Sequence, residues 1–387
     1  MSFSSASFYD IDVTVTDNCN FRCKYCFERS SEYIPSNFQL TDQFITQLEL
    51  LLSDDWFKCR YDGVHVAFWG GEPTLLPKVI IDILQYFEGD DRVKFFLYTN
   101  ASNISVLEDV LMRTRDQYIA GFPKFHVQIS YDGKPIHDMN RVNPQRRSTS
   151  KCVLEAIDFM ERNNIPFSTK STVMPENFKY LHDAYLDVRQ LEKEGRKYPH
   201  TFNHNRWRLS SYYPTVDQAD DSSIRSEEVE KRYLEDLEIS LIKIAQDEIK
   251  YYKTYKRWFF RWFDYAKPVC LAGKDMCCID TNGNIYPCHG CIYMNTDSHV
   301  AGSLTEGLLP AIIKLHEQFK FIASTQPEEC LKCVATYCAR CNSAKFQYSQ
   351  KDEYMDRWTD YSVQPFLCQA FGLNGKISTA FHRILGR

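Results

Sequence analysis

Fifteen cysteines constrain this 387-residue chain more than any other feature, because they are grouped rather than scattered. Three lie within eight residues, at Cys19, Cys23 and Cys26, and ten more lie between Cys270 and Cys368. The first residues show no basic region followed by an apolar stretch, which argues against a secretory signal. In a reducing compartment such groups indicate metal ligation rather than disulfides. We therefore expect a cytoplasmic metalloprotein with a domain boundary near residue 265.

Charge and hydropathy argue against two classes of partner. The net charge is −5, whereas a surface that binds nucleic acid needs a basic face. No apolar run reaches the length that spans a bilayer. We therefore expect neither a nucleic-acid nor a membrane partner.

Short apolar runs alternate with longer amphipathic ones from about residue 10 to 212. The short runs predict six strands: Asp10–Val15, Gly63–Trp69, Val93–Thr99, Phe125–Tyr131, Phe167–Val173 and Trp207–Tyr212. The amphipathic periodicity predicts helices between them: Thr41–Leu52, Pro77–Phe87, Ile104–Arg113, Ser150–Arg162 and Phe178–Leu191. Such units indicate an α/β fold with a parallel sheet and helices outside it, and they leave open whether the sheet closes into a barrel.

A long helix is predicted over residues 222–257, with Ser222 or Ser223 as its cap. It runs into an aromatic-rich stretch, so it either packs on the sheet or forms a wall of a substrate channel. Residues 370–387 are typical of a short helical tail.

A hairpin is the clearest signal beyond residue 265. Asn282 and Gly283 favour a tight turn with positive φ at both central positions. This turn joins the predicted strands Cys278–Asp280 and Ile285–Pro287.

The first cysteine group follows directly after a predicted strand. Thiolates at Cys19, Cys23 and Cys26 can bind three irons of one cubane cluster, which leaves the fourth iron open to a ligand. The alternative is a structural zinc site with a distant fourth ligand. The position after a strand favours the cluster, because active sites of α/β folds form there.

This Cys-x3-Cys-x2-Cys spacing, with Tyr25 before the last cysteine, resembles the signature of the radical S-adenosylmethionine (SAM) superfamily. The resemblance implies a partial (β/α)6 TIM-like barrel and a [4Fe–4S] cluster on Cys19, Cys23 and Cys26. The open iron would chelate SAM, and one-electron reduction would yield methionine and a 5′-deoxyadenosyl radical. Tyr25 would face the adenine.

Further motifs at strand ends carry the same resemblance. Trp69-Gly70-Gly71-Glu72-Pro73 is similar to the GGE-type motif that meets the SAM amino group, and Tyr98-Thr99-Asn100-Ala101 is similar to the family's T-N-G. Ser130-Tyr131-Asp132-Gly133 and Arg141 resemble the segments that line the SAM ribose and pair with its carboxylate. By this resemblance the candidate cofactor-binding residues are Tyr25, Gly70, Gly71, Glu72, Pro73, Asn100, Ser130, Asp132, Arg141 and Val173.

Simpler roles remain open at several of these positions. The two glycines fit an ordinary turn, and Val173 fits a core position as well as an adenine contact. His137 and Asp138, which follow the Ser130 motif, fit helix capping or a local salt bridge.

The later cysteines resemble a SPASM domain, an extension that binds auxiliary clusters. The resemblance implies two more [4Fe–4S] clusters, one on Cys270, Cys277 or Cys278, Cys288 and Cys341, the other on Cys330, Cys333, Cys338 and Cys368. The spacings after Cys333 and after Cys338 are each one residue shorter than the usual pattern, which weakens the pairing. Alternatively Cys277 and Cys278 are core thiols and one iron stays open. Cys291 is a spare ligand, and zinc is the competing metal.

The resemblance covers about residues 10–175 and 265–370. It implies a radical SAM core at 1–215, a helical aromatic-rich bridge at 216–265, a SPASM domain at 266–370 and a tail at 371–387. It also implies an electron donor such as flavodoxin or ferredoxin.

Most SPASM-bearing radical SAM enzymes modify peptides, so the resemblance implies a maturase of a ribosomal precursor peptide. The expected product is a thioether or cyclophane crosslink, as in the Xye-type enzymes. The alternatives are an anaerobic sulfatase-maturing enzyme, a peptide epimerase and a non-catalytic electron carrier. Sulfatase maturases carry Asp after their Y-P-C motif, where this chain has His289.

Overall fold

The structure, a computed structural model, describes residues 7–26, 36–191, 227–260, 263, 271–292, 299–319 and 365–386. Several predictions lie outside these ranges: the strand Trp207–Tyr212, the caps Ser222 and Ser223, the cysteines Cys270, Cys330, Cys333, Cys338 and Cys341, and the side chain of Cys368.

One mixed sheet organises the described chain. Its strands are β1 (Phe8–Thr16), β2 (Gly63–Gly70), β3 (Val93–Thr99), β6 (Phe125–Ser130), β7 (Phe167–Lys170), β8 (Met276–Ile279), β9 (Asn284–Tyr286) and β10 (Gly302–Ser303). Their order is β10-β9-β8-β1-β2-β3-β6-β7, and the six strands from β8 to β7 are parallel. The short strands β4 (Tyr118–Ile119) and β5 (Phe122–Pro123) pair separately. Five of the six predicted parallel strands are thus found.

Helices connect the strands. They are α1 (Thr41–Ser53), α2 (Asp55–Lys58), α3 (Pro77–Tyr86), α4 (Glu108–Thr114), α5 (Lys134–Asn140), α6 (Ser150–Arg162), α7 (Leu181–Gln190), α8 (Glu227–Tyr255), α9 (His289–Ile292), α10 (Leu308–Phe319) and α11 (Pro365–Ile384). The predicted helices at 104 and 178 open with 3-10 turns, Ile104–Leu107 and Pro175–Tyr180. None of the helices in the described ranges is long and apolar enough to cross a membrane.

The sheet has two unlike faces because side chains alternate along each strand. On β1, Tyr9, Ile11 and Val13 are fully buried in the main core. The opposite side is called here the polar face. It carries Asp12 and the residues in register with it across the sheet, which are Ala67, Phe96, His126 and Cys278. Residues further along the same strands lie on this face too: Trp69, Tyr98, Gln128, Ser168 and Lys170. Several side chains of the polar face remain half-buried, so this face offers surface to a ligand.

The sheet continues across residue 265, since β8 adds to the free side of β1. The prediction of positive φ at both turn residues is wrong: Gly283 has φ +85°, and Asn282 does not lie in that region. The Asp280 carboxylate explains the difference, because its Oδ1 accepts from the backbone N of Asn282 (2.9 Å) and of Asn284 (2.8 Å). The turn is therefore one in which glycine alone takes the left-handed position.

The C-terminal tail is longer and better packed than predicted. Helix α11 spans 20 residues, and its Ser378 hydroxyl donates to the backbone oxygen of Phe263 (3.0 Å). The ring of Phe381 lies 4.9 Å from that of Phe263. Phe259 and Phe260 are also buried, and both contact the ring of Tyr185. These described aromatic residues pack in the core, as the packing interpretation of this stretch requires.

Glu248 of α8 is buried where three segments meet. The Tyr185 hydroxyl of α7 donates to its Oε1, and the backbone N of Phe259 donates to its Oε2 at 2.6 Å. Burial raises the pKa of Glu248 to about 7, although these hydrogen bonds oppose the shift. The folded protein therefore binds a proton here that the unfolded chain has lost by neutral pH.

This raised pKa predicts a pH-dependent stability. The ordinary carboxyl pKa is 4.5, so the folded state holds the extra proton between that value and about 7, and stability falls as pH rises through this window. The loss is at most about 3 kcal/mol. We expect Glu248→Gln to flatten the change in melting temperature between pH 5 and pH 8, measured by thermal unfolding. Glu238→Gln, an exposed change on the same helix, should keep the wild-type slope; equal slopes in all three proteins would refute this role.

Candidate functional site

The candidate residues lie at the carboxyl edge of the parallel sheet. The loop after β1 holds the three cysteines, and the loops after β2, β3, β6 and β7 hold Glu72, Asn100, Asp132 and Val173. Parallel strands bring these loops to one edge, where ligands of α/β proteins bind.

The cysteine loop (residues 17–26) alternates thiols with buried aromatic residues. Phe21 is 4% exposed and Tyr25 is 5% exposed, whereas Cys19, Cys23 and Cys26 are half-buried. The two rings fix the loop to the protein, and the thiols remain near the surface of the edge. The backbone N of Phe21 donates to Cys19 Sγ at 3.4 Å. Hydrogen bonds to sulfur of this kind are typical of cluster-binding thiolates.

Backbone hydrogen bonds hold the cysteine loop on two sides. The N of Arg22 donates to Val142 O (2.6 Å), and the N of Lys24 donates to Asn140 O (2.9 Å). On the other side the backbone N of Glu72 donates to Asn18 O at 2.8 Å. The loop that follows α5 and the loop that follows β2 therefore set the position of the thiols.

Gly70 and Gly71 are required by this close approach. A Cβ on Gly70 would lie 2.2 Å from Thr16 O, and one on Gly71 would lie 2.3 Å from Asn18 O. Gly70 also has φ +130°, a backbone conformation that residues with a side chain rarely adopt. These glycines make room for the end of β1 and the cysteine loop, and their predicted contact with a ligand stays a prediction.

Glu72 is a buried carboxylate fixed between β2 and β3. Its Oε1 accepts from Thr74 N (3.1 Å), from Thr74 Oγ1 (2.6 Å) and from Thr99 Oγ1 (2.6 Å). Its Oε2 accepts from the backbone N of Asn100 at 2.7 Å. Burial raises the pKa of Glu72 above its ordinary value, although these four hydrogen bonds oppose the shift. The adjacent Pro73 is buried and begins the 3-10 turn Pro73–Leu75.

Asn100 joins the end of β3 to the cysteine loop. Its Nδ2 donates to Asn20 Oδ1 at 2.9 Å and lies 3.9 Å from Cys19 Sγ. Ala101 follows with φ +59°, a conformation that favours glycine. This explains why the family's motif has glycine where this chain has alanine.

Asp132 is the centre of a buried network at the end of β6. Arg141 donates from Nε to Asp132 Oδ2 (2.9 Å) and from Nη2 to Oδ1 (3.1 Å). The Tyr25 hydroxyl donates to Oδ2 (2.7 Å), and Thr172 N donates to Oδ1 (2.8 Å). Burial opposes the charge of Arg141, but the pairing with Asp132 leaves the pKa of Arg141 raised.

The network changes what can be expected of Arg141. The resemblance predicts that its guanidinium pairs with the SAM carboxylate, and in the structure two of its three nitrogens donate to Asp132. A carboxylate ligand would have to use Nη1 or the second N–H of Nη2. The network instead links the cysteine loop to the loops after β6 and β7.

The remaining candidates have separate surroundings. His137 is fully buried, and its Nε2 lies 3.0 Å from Thr149 Oγ1. Burial lowers the pKa of His137 to about 4, so the ring is neutral at physiological pH. The Asp138 carboxylate accepts from the Ser148 hydroxyl. Val173 is packed in the main core, and Ser130 is half-buried on the polar face.

The structure separates the two adjacent cysteines of β8. Cys277 is in register with Ile11, packs in the main core and hydrogen-bonds to the side chain of Tyr9. Cys278 points to the polar face, where its Sγ lies 4.0 Å from Thr14 Oγ1. Burial raises the pKa of Cys278, and the nearby Asp12 and Cys288 raise it further. Cys278 therefore lies on the side of Cys288.

Cys288 has a second sulfur beside it. Its Sγ lies 3.8 Å from that of Cys291, which was predicted only as a spare ligand. Within the described ranges no three Cys, His, Asp or Glu side chains are grouped to hold one metal ion.

The comparisons with known proteins agree with this geometry. Residues 13–188 match the model of the radical SAM superfamily. The chain contains a radical SAM domain. The cysteine-type anaerobic sulfatase-maturating enzyme of Clostridium novyi is 23% identical over 84% of this chain and 83% of its own. The radical SAM cyclopropyl synthase TigE of Paramaledivibacter caminithermalis is 20% identical over 46% of this chain and 38% of its own.

Two solved structures share the fold of this chain. The structure of anSMEcpe with bound AdoMet superposes with a TM-score of 0.69 and 17% identity, over 97% of this chain and 94% of that one. Streptococcus suis SuiB bound to its precursor peptide SuiA gives 0.57 and 14% identity, over 91% and 76%. The predicted α/β fold with a parallel sheet is confirmed. The superfamily implies a SAM-binding [4Fe–4S] cluster.

Asp12 lies beneath this edge and was not predicted from the sequence as a site residue, whereas its neighbour His289 was singled out after the Y-P-C motif. His289 Nδ1 lies 3.3 Å from Asp12 Oδ2, both side chains are buried, and the His289 ring stacks on that of Trp69. A signal was present, because Asp10, Asp12 and Thr14 alternate with apolar residues along β1. That alternation marks a strand with one polar face.

The glycine contact predicts an effect on cluster loading. Gly71→Ala should push the cysteine loop away from β2 at a cost of about 1–3 kcal/mol. We expect lower iron content per chain after anaerobic reconstitution, measured by iron and sulfide assay. Gly89→Ala is the matched control, because a Cβ there meets nothing within 4 Å. Normal iron in Gly71→Ala would contradict the steric argument.

The opposite orientations of Cys277 and Cys278 predict different phenotypes. Cys278→Ala should remove iron from an auxiliary cluster, whereas Cys277→Ala should keep the iron and lower the melting temperature by leaving a cavity. Iron content and Mössbauer spectra of both variants test this. The reverse pattern would assign ligation to Cys277.

Proposed function

We propose that this chain is a radical SAM peptide maturase that abstracts a side-chain hydrogen from a ribosomal precursor peptide and forms a crosslink within it. The observation that carries the proposal is the meeting of the cysteine loop with Glu72, Asn100 and Asp132 at one sheet edge. The crosslink is a carbon–carbon cyclophane or a thioether, as in the Xye-type enzymes. One of the two hydrogens lost would go to the 5′-deoxyadenosyl radical, and the other would leave as a proton with its electron passed to a proposed auxiliary cluster.

The described residues fit the implied cofactors. Cys19, Cys23 and Cys26 would hold the cluster, because they are half-buried thiols on a loop fixed by its backbone. When bound, the reduced cluster supplies the electron that cleaves SAM. Glu72 Oε2 accepts one described hydrogen bond and can accept another from the SAM ammonium. Flavodoxin or ferredoxin as electron donor, and two auxiliary clusters on the later cysteines, belong to the same proposal.

Peptide chemistry is supported by the relatives. SuiB is seen with a precursor peptide, and anSMEcpe with a peptide named Cp18Cys. TigE is named for a cyclopropyl product, whereas the Clostridium novyi relative is named for sulfatase maturation. The relatives of this chain are therefore named for different reactions.

Sulfatase maturation is the second candidate, because a relative named for it matches along 84% of the chain. His289 disfavours it, since this chain lacks Asp at that position. The His289 ring is buried beside Asp12 and could itself accept a proton.

Formation of 5′-deoxyadenosine tests the radical chemistry. Reduced, reconstituted protein given SAM alone should release 5′-deoxyadenosine and methionine, detected by liquid chromatography and mass spectrometry. Cys19→Ala should abolish the product, and Cys59→Ala, at an exposed cysteine on the helix side, should retain it. Absence of 5′-deoxyadenosine from the wild type would favour the electron-carrier alternative.

Co-expression with a precursor peptide encoded beside the gene tests the outcome on substrate. We expect loss of two hydrogens without reactivity towards a hydrazide probe, because a crosslink contains no aldehyde. A hydrazide-reactive product would indicate formylglycine. An unchanged mass with an inverted stereocentre would indicate epimerisation.

A further inference from the structure

The polar face carries a row of aromatic rings below the carboxyl edge. The Trp69 and Tyr98 rings lie edge to face with centroids 4.7 Å apart, and His289 stacks on Trp69 at 4.4 Å. Lys170 Nζ lies 5.3 Å from the centre of the Tyr98 ring. We call Trp69 and Tyr98 the aromatic pair. Both are half-buried, so each ring keeps surface open to a ligand.

Gln128 lies beside the aromatic pair with an unsatisfied polar group. It is in register with Tyr98 on the same face and is 8% exposed. Its Oε1 is buried and has no hydrogen-bond partner among the residues that the structure describes. The polar side chains next to it hydrogen-bond to each other, because His126 Nε2 lies 2.8 Å from Ser168 Oγ. Buried acceptors are normally paired, so Gln128 is prepared for a donor that the described residues do not supply.

The chemistry of this side chain narrows the ligand. A carboxamide offers one acceptor and one donor group in a single plane, as a peptide bond does. It can therefore pair with the N–H and the C=O of an extended peptide. The aromatic pair beside it offers a surface on which another ring packs edge to face or offset.

The position agrees with a substrate site. Gln128 precedes Asp132 by four residues, and Trp69 precedes Glu72 by three, on strands that end at the candidate cofactor site. At the rise of a β-strand these separations are about 10–13 Å. A substrate on this face would lie next to the edge where the radical is proposed to form.

We propose that Gln128 and the aromatic pair form a substrate subsite that takes an aromatic residue of a peptide. Gln128 holds the peptide group, and Trp69 and Tyr98 hold the ring. This inference rests on the proposed function and deepens it by naming the substrate class.

Binding of two blocked peptides tests the subsite. Acetyl-Gly-Phe-Gly-amide and acetyl-Gly-Leu-Gly-amide share a backbone and differ in the ring. Their affinities for the reconstituted holoenzyme with SAM are measured by saturation-transfer NMR titration. We expect the wild type to prefer the phenylalanine peptide by about fivefold. Gln128→Leu should weaken both peptides by about tenfold, because the backbone contact is common to them.

Two further variants keep the test decisive. Gln85→Leu, at an exposed position on α3, should bind both peptides as the wild type does. Tyr98→Leu should remove the preference for the phenylalanine peptide. This variant tests the subsite on its own if Gln128→Leu fails to fold, as judged by its iron content.

The inference is overturned if the wild type binds neither peptide, if it binds both equally, or if a folded Gln128→Leu binds as the wild type does. Release of 5′-deoxyadenosine is measured separately. Its presence without peptide binding would reject the subsite and leave the proposed function standing. Peptide binding without release of 5′-deoxyadenosine would support the subsite and reject the proposed function.

Discussion

The hydrogen-bonded carboxylate of Asp132 is the interaction on which the candidate site depends. Each of its oxygens accepts two hydrogen bonds, and the donors come from the cysteine loop, from Arg141 and from the loop after β7. A buried ion pair adds little net stability, but loss of one partner leaves a buried charge and is strongly destabilising. The pair therefore specifies one arrangement of three loops, and Tyr25 transmits that arrangement to the thiols.

The cysteine loop has few ways to move independently. Tyr25 and Phe21 are buried, and the backbone pairs with Asn140 and Val142 on one side. On the other side Gly70 and Gly71 let β2 approach to van der Waals contact. Preorganisation of this kind suits a site whose ligands must keep one geometry. The same contacts explain why a short loop of ten residues can present three thiols without its own secondary structure.

The sequence predicted the parallel strands well because their apolar runs are continuous and bounded by turn residues. Val93–Thr99 was predicted to the residue, whereas the tail predicted at 370–387 begins at Pro365. The contacts of Ser378 and Phe381 with Phe263 were not predicted, because periodicity cannot show which distant residue a helix meets. Motifs located Glu72 and Asp132 but not their partners. Which donors meet a carboxylate is decided by the packing of distant loops, so Arg141 could be named from sequence and its bidentate pairing with Asp132 could not.

Strand β1 connects the two cysteine regions physically. Its carboxyl end continues into the cysteine loop, and its free side pairs with β8, which carries Cys278. The Asp17 carboxylate at the start of the loop also accepts from Thr281 Oγ1 at 3.0 Å. A shift of the hairpin that follows β8 would thus act on the cysteine loop through hydrogen bonds rather than through a linker. Two cysteine regions joined in one sheet keep a fixed separation, and a fixed separation is what electron transfer between the proposed clusters would require.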